Sequence, residues 1–467
     1  MNPMSELNNP KTIKAWCMYD WANSAYNLCI TSAIFPIYYN AVSKSAAVAG
    51  GADPAGDNFL VSIFGWQVSS SAAYSYSLSL AYLLVAFSSP ILSGMADFGG
   101  LKKRMLAFFA ILGSMSCALM YFFTSANIEY GLGLFMLAAM GWAGSVIFYN
   151  SFLPEIATED RFDEISARGF AYGYAGSVLL LVANLVMIMF PGLLWDVQGM
   201  AAQLVASGTE ATAAMEQATS HYKGMSTRLS FVTVGLWWFG FSQLTLRRLP
   251  KEKPLGKVNG DLLRKGYREL VKVYHEIKHL ASVRRYLIAF FFISAGLQTT
   301  MYLATIFGAD ELKLSTDKLI ITILLIQLIA IAGAFAFSKL SARFGNIYTL
   351  MGGTVIWVGI CVAAYTVTTE NEFFVLAGVV GTVMGGMQAL MRSTYAKLIP
   401  DATLNHASYF SFYDVTEKLA IVFGTFAFGY IIVLTGSMRN SALALGVFFI
   451  LGLLVLRGIR NFKIHVG

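Results

Sequence analysis

The sequence predicts an all-α membrane protein of about twelve transmembrane helices, arranged as two six-helix bundles with both termini in the cytoplasm. Three observations predict it. Of 467 residues, 57% are hydrophobic and only 13% charged, where a soluble domain is about a quarter charged. Apolar runs of the roughly 20 residues that cross a bilayer recur along the chain. Several of them, such as 319–337 and 442–456, are apolar on every face, whereas a soluble helix keeps one polar face. Third, the bases alternate with those runs in a way that orients them.

Spans are expected over 15–42, 74–95, 105–125, 131–153, 169–190, 228–248, 286–308, 318–338, 347–368, 373–397, 407–433 and 440–460. With the N-terminus inside, the cytoplasmic side receives Lys11, Lys14, Lys102, Lys103, Arg104, the basic stretch Arg247 to Arg285, Lys339, Arg343, Lys397, Arg457, Arg460 and Lys463. The outer side keeps Lys44, Lys223, Arg228, Lys313, Lys318 and Arg439. This is the positive-inside bias. The net charge of +7 therefore points to a membrane surface and excludes a nucleic-acid-binding domain. The four cysteines, Cys17, Cys29, Cys117 and Cys361, fall inside apolar runs without metal or disulfide spacing and read as small buried hydrophobes. The first apolar run is too long for a signal-peptide core, so no cleaved leader is expected.

The chain divides into an N-terminal bundle (1–248), a cytoplasmic linker (249–285) and a C-terminal bundle (286–467). Residues 43–73 and 191–227 read as outer loops rich in Ala, Gly and Ser. In the linker, Leu263, Tyr267, Leu270, Tyr274, Ile277 and Ala281 recur at helical spacing opposite a cationic face, which predicts an amphipathic helix on the membrane surface. The halves look duplicated. Gly100 matches Gly345 at an offset of 245, while Pro154 matches Pro400 and Tyr149 matches Tyr395 at 246, as in transporters built from repeats.

The loop after the second span runs Gly94-Met-Ala-Asp97-Phe-Gly-Gly100-Leu-Lys102-Lys103-Arg104. Its glycines permit a tight turn, its aspartate can pair across the bundle and its bases can anchor to headgroups. This resembles the loop signature of the major facilitator superfamily. The second half carries a decayed copy from Ser338 to Asn346, with Arg343 and Gly345 kept but Ala342 in the acidic position; that leaves a gating charge there in doubt. A narrower resemblance lies in Tyr19-Asp20-Trp21-Ala22-Asn23-Ser24-Ala25-Tyr26 with Phe35-Pro36, in Tyr149-Asn150 with Pro154-Glu155, in Arg168 to Tyr174, and in Gly385-Gly386 with Gln388, Arg392 and Ser393. It is similar to the vacuole-effluxer family, autophagy-related in fungi, and to its bacterial branch. Met391 stands where that pattern has a small hydroxyl residue. The resemblance implies amino-acid efflux, as in the fungal members.

Ionisable groups inside a span cost at least about 2.5 kcal/mol, so those present mark the candidate path. Asp20, Ser24, Asn27 and Thr31 share one face at α-helical spacing and should line water, unless Asp20 is simply hydrated near the interface. Gln388 and Arg392 lie four apart, and Asp414 can pair with Lys418. Glu417 then needs another partner, for which Arg392 is the candidate. Tyr413 neighbours them. Two readings stay open, a charged-substrate and proton site, with Asp20 and Glu417 as proton carriers, or salt bridges that close a cytoplasmic gate. Gln298, Thr299 and Tyr302 on the seventh span, with Trp142, Tyr149 and Asn150 on the fourth, can bind substrate or merely link helices. Gly381/Gly385 and Gly169/Gly173 read as close helix approaches.

No phosphate-cradling loop precedes a Lys-Ser/Thr pair, which argues against ATP-driven transport. The His275/His279 pair lacks a third ligand, and no nucleophile–base pair lies in the spans. The expectation is a non-enzymatic secondary transporter of the inner (cytoplasmic) membrane, with no cofactor beyond a proton or ion gradient. It would work as a monomer in lipid on a small-molecule substrate, amino acids first. Drug or lipid efflux on the same fold is the alternative, then a membrane receptor or enzyme.

Overall fold

The computed structural model describes residues 7–51, 59–250, 262–400 and 403–459, apart from the side chains of residues 262, 263, 302, 303, 305, 306, 310, 316 and 317. Its helices are α1 (Pro10–Ala25), α2 (Phe35–Ala49), α3 (Ser70–Gly99), α4 (Lys102–Leu119), α5 (Ile128–Ser151), α6 (Leu153–Ile156), α7 (Phe162–Met189), α8 (Val197–Ala206), α9 (Ala211–Arg248), α10 (Leu262–His279), α11 (Ala281–Asp310), α12 (Thr316–Phe344), α13 (Asn346–Thr366), α14 (Glu370–Leu398), α15 (His406–Thr435) and α16 (Met438–Arg457). One antiparallel hairpin, β1 (Leu60–Ile63) with β2 (Trp66–Ser69), joins α2 to α3.

Ten of these helices are each long and apolar enough to cross a bilayer, and an eleventh span begins at Ala281, bent 93° from the helix before it. The twelfth rod among the described residues is the first. It is wound in three pieces, α1, a π-helical run Tyr26–Ile34 and α2. Pro36 gives the local reason. It offers no N–H, and its ring crowds the carbonyl four residues back, so a wider turn ahead of it relieves the clash. The expected outer loops hold more structure than their composition suggested. α2 runs on to Ala49, and α8 and the start of α9 occupy 197–227.

The core is continuous through the bundle and rich in small residues and stacked aromatics, such as Phe35 on Phe135 at 4.3 Å between centroids. Large apolar side chains, among them Phe87, Phe426 and Val433, remain exposed on the periphery, where lipid rather than water accepts them. In the first half α1 packs on α7 and α9, and α4 on α5 and α9; in the second α12 packs on α14, and α11 on α15 and α16. Across the seam α3 and α5 meet α15, and α7 meets α12 and α14. We call the end where the first rod begins and the last ends the terminal face, and the opposite end the distal face.

The linker helix has partners that its spacing does not reveal. α10 docks on α3 and α15, so it spans the seam. Val273 and Ile277 are buried, Glu269 accepts from Asn405 Nδ2 (3.2 Å) and Glu276 accepts from Tyr409 Oη (2.8 Å). Tyr267 and Tyr274, which the periodicity groups with the buried set, point outward. The docking depends on two facing glycines. A Cβ on Gly94 would sit 2.2 Å from the Gly266 carbonyl oxygen. Gly94→Val is therefore expected to lift α10 away at a cost of about 1–3 kcal/mol, the usual range for overpacking. Hydrogen–deuterium exchange over 262–279 reads this directly; unchanged protection there would refute it.

Candidate inter-half gate and cavity

Arg392 on α14 reaches across the seam into the first half. Its Nη1 lies 3.1 Å from Asp20 Oδ2 on α1 and 3.3 Å from Asn150 Oδ1 on α5. Its Nε donates to Ser166 Oγ and its Nη2 to the Ser166 carbonyl on α7, both at 2.9 Å. A guanidinium has five N–H donors in a fixed fork, and here four contacts of that fork are met by groups from three helices. Three rings enclose it, with centroids at 4.3 Å (Phe170), 4.7 Å (Trp16) and 5.5 Å (Tyr149). Tyr149 Oη also donates to Asp20 Oδ2 (2.8 Å), and Trp16 Nε1 to the Tyr149 carbonyl (3.0 Å). The pair is almost fully buried. Such an ion pair holds only when its remaining lone pairs and protons are also bonded, which this cage achieves. Gly169 makes room for it, since a Cβ there would lie 2.6 Å from Asp20 Oδ2 and 2.8 Å from Arg392 Nη2.

A second cation crosses the seam farther from the terminal face. Lys418 on α15 lies 3.2 Å from Asp414 and 3.3 Å from Glu417, with its ammonium over Trp142 (5.1 Å) and Tyr82 (5.4 Å) of the first half. Glu417 accepts from Gln298 Nε2 at 2.9 Å. Its partners are thus Lys418 and Gln298, not Arg392; Arg392 is taken by Asp20, a pairing that helix periodicity cannot see. Gln388 joins the seam separately, accepting from Tyr174 Oη at 2.6 Å.

At the terminal face two locks tie the halves. In the first, Asp97 Oδ2 accepts from the backbone N–H and hydroxyl of Ser408, both at 2.7 Å, and Oδ1 from the Ala407 N–H at 3.1 Å. A carboxylate at the N-terminus of α15 satisfies unpaired N–H groups and complements the helix dipole. Lys102 stands beside it, 3.9 Å from Asp97 and paired with Glu155. In the second, Asp163 at the start of α7 accepts from Ser341 Oγ (2.9 Å), Asn346 Nδ2 (2.8 Å) and Lys397 Nζ (2.7 Å). The acid missing at Ala342 is therefore supplied from the other half. The offset of 245 that sets Gly100 on Gly345 also sets Asp163 on Ser408. The acid and the serine have exchanged sides between the two locks.

Other candidates fall elsewhere. Tyr26 packs between Trp142 and Trp238, and Tyr413 stacks on Phe290 at 4.0 Å. Asn23 and Thr31 are buried, and Ser24 abuts Gly173. Past Tyr26 the π winding ends the α-helical phase, so the stripe of Asp20, Ser24, Asn27 and Thr31 does not continue to the distal face. Lys103 donates to the Leu249 carbonyl (2.9 Å), while Arg104 and Arg343 are exposed. Gly100 and Gly345 both hold positive φ, +62° and +83°, at matching turns. The side chain of Tyr302 lies outside the described residues. Gly169, Gly173, Gly381 and Gly385 all sit at close helix approaches. Trp16, Ser166, Phe170, Asp163 and Lys397 carry no sequence signal that singles them out as site residues, with one exception. The repeat offset carried to Ser408 points to Asp163; nothing in the sequence marks Ser166.

The terminal face is closed by these contacts, and the distal face is open. A cavity of about 1010 Å³ lies there between the halves, bounded by the first rod, α7 and α9 on one side and the α11–α12 ends on the other.

The chain resembles known proteins over its whole length. The family described as "Vacuole effluxer Atg22 like" matches residues 8–463. The uncharacterized MFS-type transporter YxiO of Bacillus subtilis is 29% identical over 446 residues, covering 96% of this chain and 94% of that one. Autophagy-related protein 22 of Saccharomyces cerevisiae is 24% identical over 516 residues, covering 95% and 90%. Among solved structures, the major facilitator transporter FucP in its outward conformation superposes with a TM-score of 0.64 at 15% identity, covering 97% and 99%. The human organic anion transporter MFSD10 superposes equally well, at 0.64 and 11% identity, covering 96% and 99%. These likenesses fix the fold as that of the major facilitator superfamily.

Proposed function

The chain belongs to the Atg22-like vacuole effluxer family, and from that premise we propose that it is a secondary transporter that moves a small polar solute, amino acids first, by alternating access driven by a proton gradient. It is a multi-pass membrane protein and not an enzyme, its relatives being transporters and effluxers. The observation that carries the reading is the seam itself. Buried cations from one half sit in aromatic cages of the other at one end, while a cavity stands open at the opposite end. Such contacts have two discrete states, made or broken, as alternating access requires.

The terminal face is assigned to the cytoplasm by its excess of Lys and Arg, and the membrane to the inner membrane. The geometry then corresponds to an outward-open state. The domains at work are 1–248 and 286–467, joined through 249–285. Asp20 and Glu417 are the proposed proton carriers. Each neutralises a cation across or beside the seam, so protonation would loosen the hold on Arg392, or leave Lys418 to Asp414 alone, and favour separation. Net export is proposed by family likeness.

The test is flux of radiolabelled amino acids into proteoliposomes with and without a pH gradient. Gradient-dependent accumulation is expected. Glu417→Gln should keep exchange of substrate for substrate but lose accumulation against the gradient. Absence of gradient-dependent flux for any polar solute would defeat the proposal, and unchanged coupling in both Asp20→Asn and Glu417→Gln would defeat the proton assignment. The second reading, drug or lipid efflux, is favoured by one feature, the size and apolar walls of the distal cavity. Efflux of an amphipathic dye, insensitive to amino acids, would select it.

A further inference from the structure

We infer that the distal cavity is a site for organic anions, taking a carboxylate or sulfonate carried on an apolar body and excluding organic cations. The inference goes beyond the transporter reading, whose amino-acid substrate this cavity does not select, and rests on that reading only for the steps after binding.

Among the described residues the cavity wall holds His221, Lys223 and Arg228 from α9 and not one Asp or Glu. Other bases are paired at the seam, Arg392 with Asp20 and Lys418 with Asp414, and at the distal end, Lys318 with Glu370 and Arg439 with Glu311, whereas Lys44 lies over the Phe59 ring at 5.6 Å and Lys313 is exposed. Among the described residues no carboxylate lies within ion-pair reach of Lys223 or Arg228. Arg228 is half-buried, and its guanidinium is held over the Tyr121 ring at 5.4 Å from the centroid. Stacking on a ring occupies one face of the group and leaves its N–H fork free for a planar anion.

The opposite wall is apolar, with Ile37, Leu181, Leu185 and Ile320 among its residues. Uncompensated bases above low-dielectric walls focus a positive field into the opening, which raises the local concentration of anions and repels cations. A zwitterion would find a partner for its carboxylate but none for its ammonium. The volume, about 1010 Å³, lies at the upper end of the range for drug-sized ligands. The combination suits a compact anion with an aromatic or branched apolar body.

Three probes of one skeleton separate charge from apolar contact: 4-phenylbutyrate, 4-phenylbutanol and 4-phenylbutylamine. Each is titrated into the intact protein in phosphatidylcholine nanodiscs, with empty discs as background. The acid is expected to bind saturably and about tenfold or more tighter than the alcohol, the scale of one charge-assisted pair. The amine is expected not to bind. Lys223→Gln with Arg228→Gln should abolish the preference, Arg228→Lys should keep part of it, and Lys313→Gln, outside the cavity, should change nothing. Equal binding of acid and amine would overturn the inference. So would an unaltered preference in the double variant, or loss of 4-phenylbutyrate binding when phosphatidylglycerol replaces phosphatidylcholine, which would make a lipid headgroup the occupant. Amino-acid flux measured on the same preparations keeps the two readings apart. Intact gradient-driven flux without anion preference sinks this site alone, and anion binding without any flux sinks the transporter reading alone.

Discussion

An Arg392→Ala chain is expected to lose the closed terminal face and, with it, transport. The substitution leaves Asp20 buried with Tyr149 as its remaining close partner, and it empties a cage formed by Trp16, Tyr149 and Phe170. Breaking one side of a buried pair costs about 3–5 kcal/mol. That cost falls only on the state in which the halves meet here, because Asp20 and Arg392 belong to different halves. The equilibrium between closed and open terminal faces should therefore shift by roughly two to four powers of ten toward open. Spin labels on Arg104→Cys and Arg343→Cys, both exposed near that face, would report a longer distance. The four native cysteines are buried and should not compete for label. Adding Asp20→Asn removes the orphaned charge and should recover much of the closed population, while Arg392→Lys should not, since an ammonium cannot reproduce the fork. An unchanged distance distribution in Arg392→Ala would show that the cage does not hold the face shut.

That experiment turns on a pairing the sequence could only half supply. Asp20 and Arg392 are each legible as charges that hydrocarbon does not tolerate alone. Their meeting is not legible, because 372 positions separate them and periodicity orders residues only along one helix. Glu417 goes to Arg392 by sequence for want of a nearer base, when Lys418 beside it and Gln298 on α11 take it. The rods are legible for a simple reason: a bilayer forces apolar residues to run unbroken for the whole crossing. The π-helical run within the first rod is not, because nothing but Pro36 announces it and one proline admits several local remedies. The linker helix is amphipathic, as its spacing predicts, and its buried face docks on α3 and α15. Amphipathicity says that one face is buried, not against what; Gly94 and Gly266 decide that here.

The largest coupled effect is expected at the second lock, where the charge has changed sides. Asp163 and Ser341 are 2.9 Å apart, with Lys397 also on Asp163 at 2.7 Å. Asp163→Ser alone leaves Lys397 without its acid, holding Asn346 Oδ1 at 3.1 Å, and removes three hydrogen bonds to a carboxylate, each worth about 1.5–3 kcal/mol when the acceptor is charged. Ser341→Asp alone sets two carboxylates against each other at that separation, which forces one of them to hold a proton or the halves to part. The double variant places one acid and one serine back at the same point, with the acid on the side that Asp97 takes in the first lock, one position before its repeat counterpart Ala342. Each single substitution should open the terminal face and cut transport, and the double should restore both in large part. The resulting coupling should reach the upper end of the range for contacting residues, about 3 kcal/mol. It is measured by a double-mutant cycle on the same spin-label distance. Additive losses would mean that the lock is not one charge shared between α7 and the α12–α13 turn, and that the two halves are held at this point by packing alone.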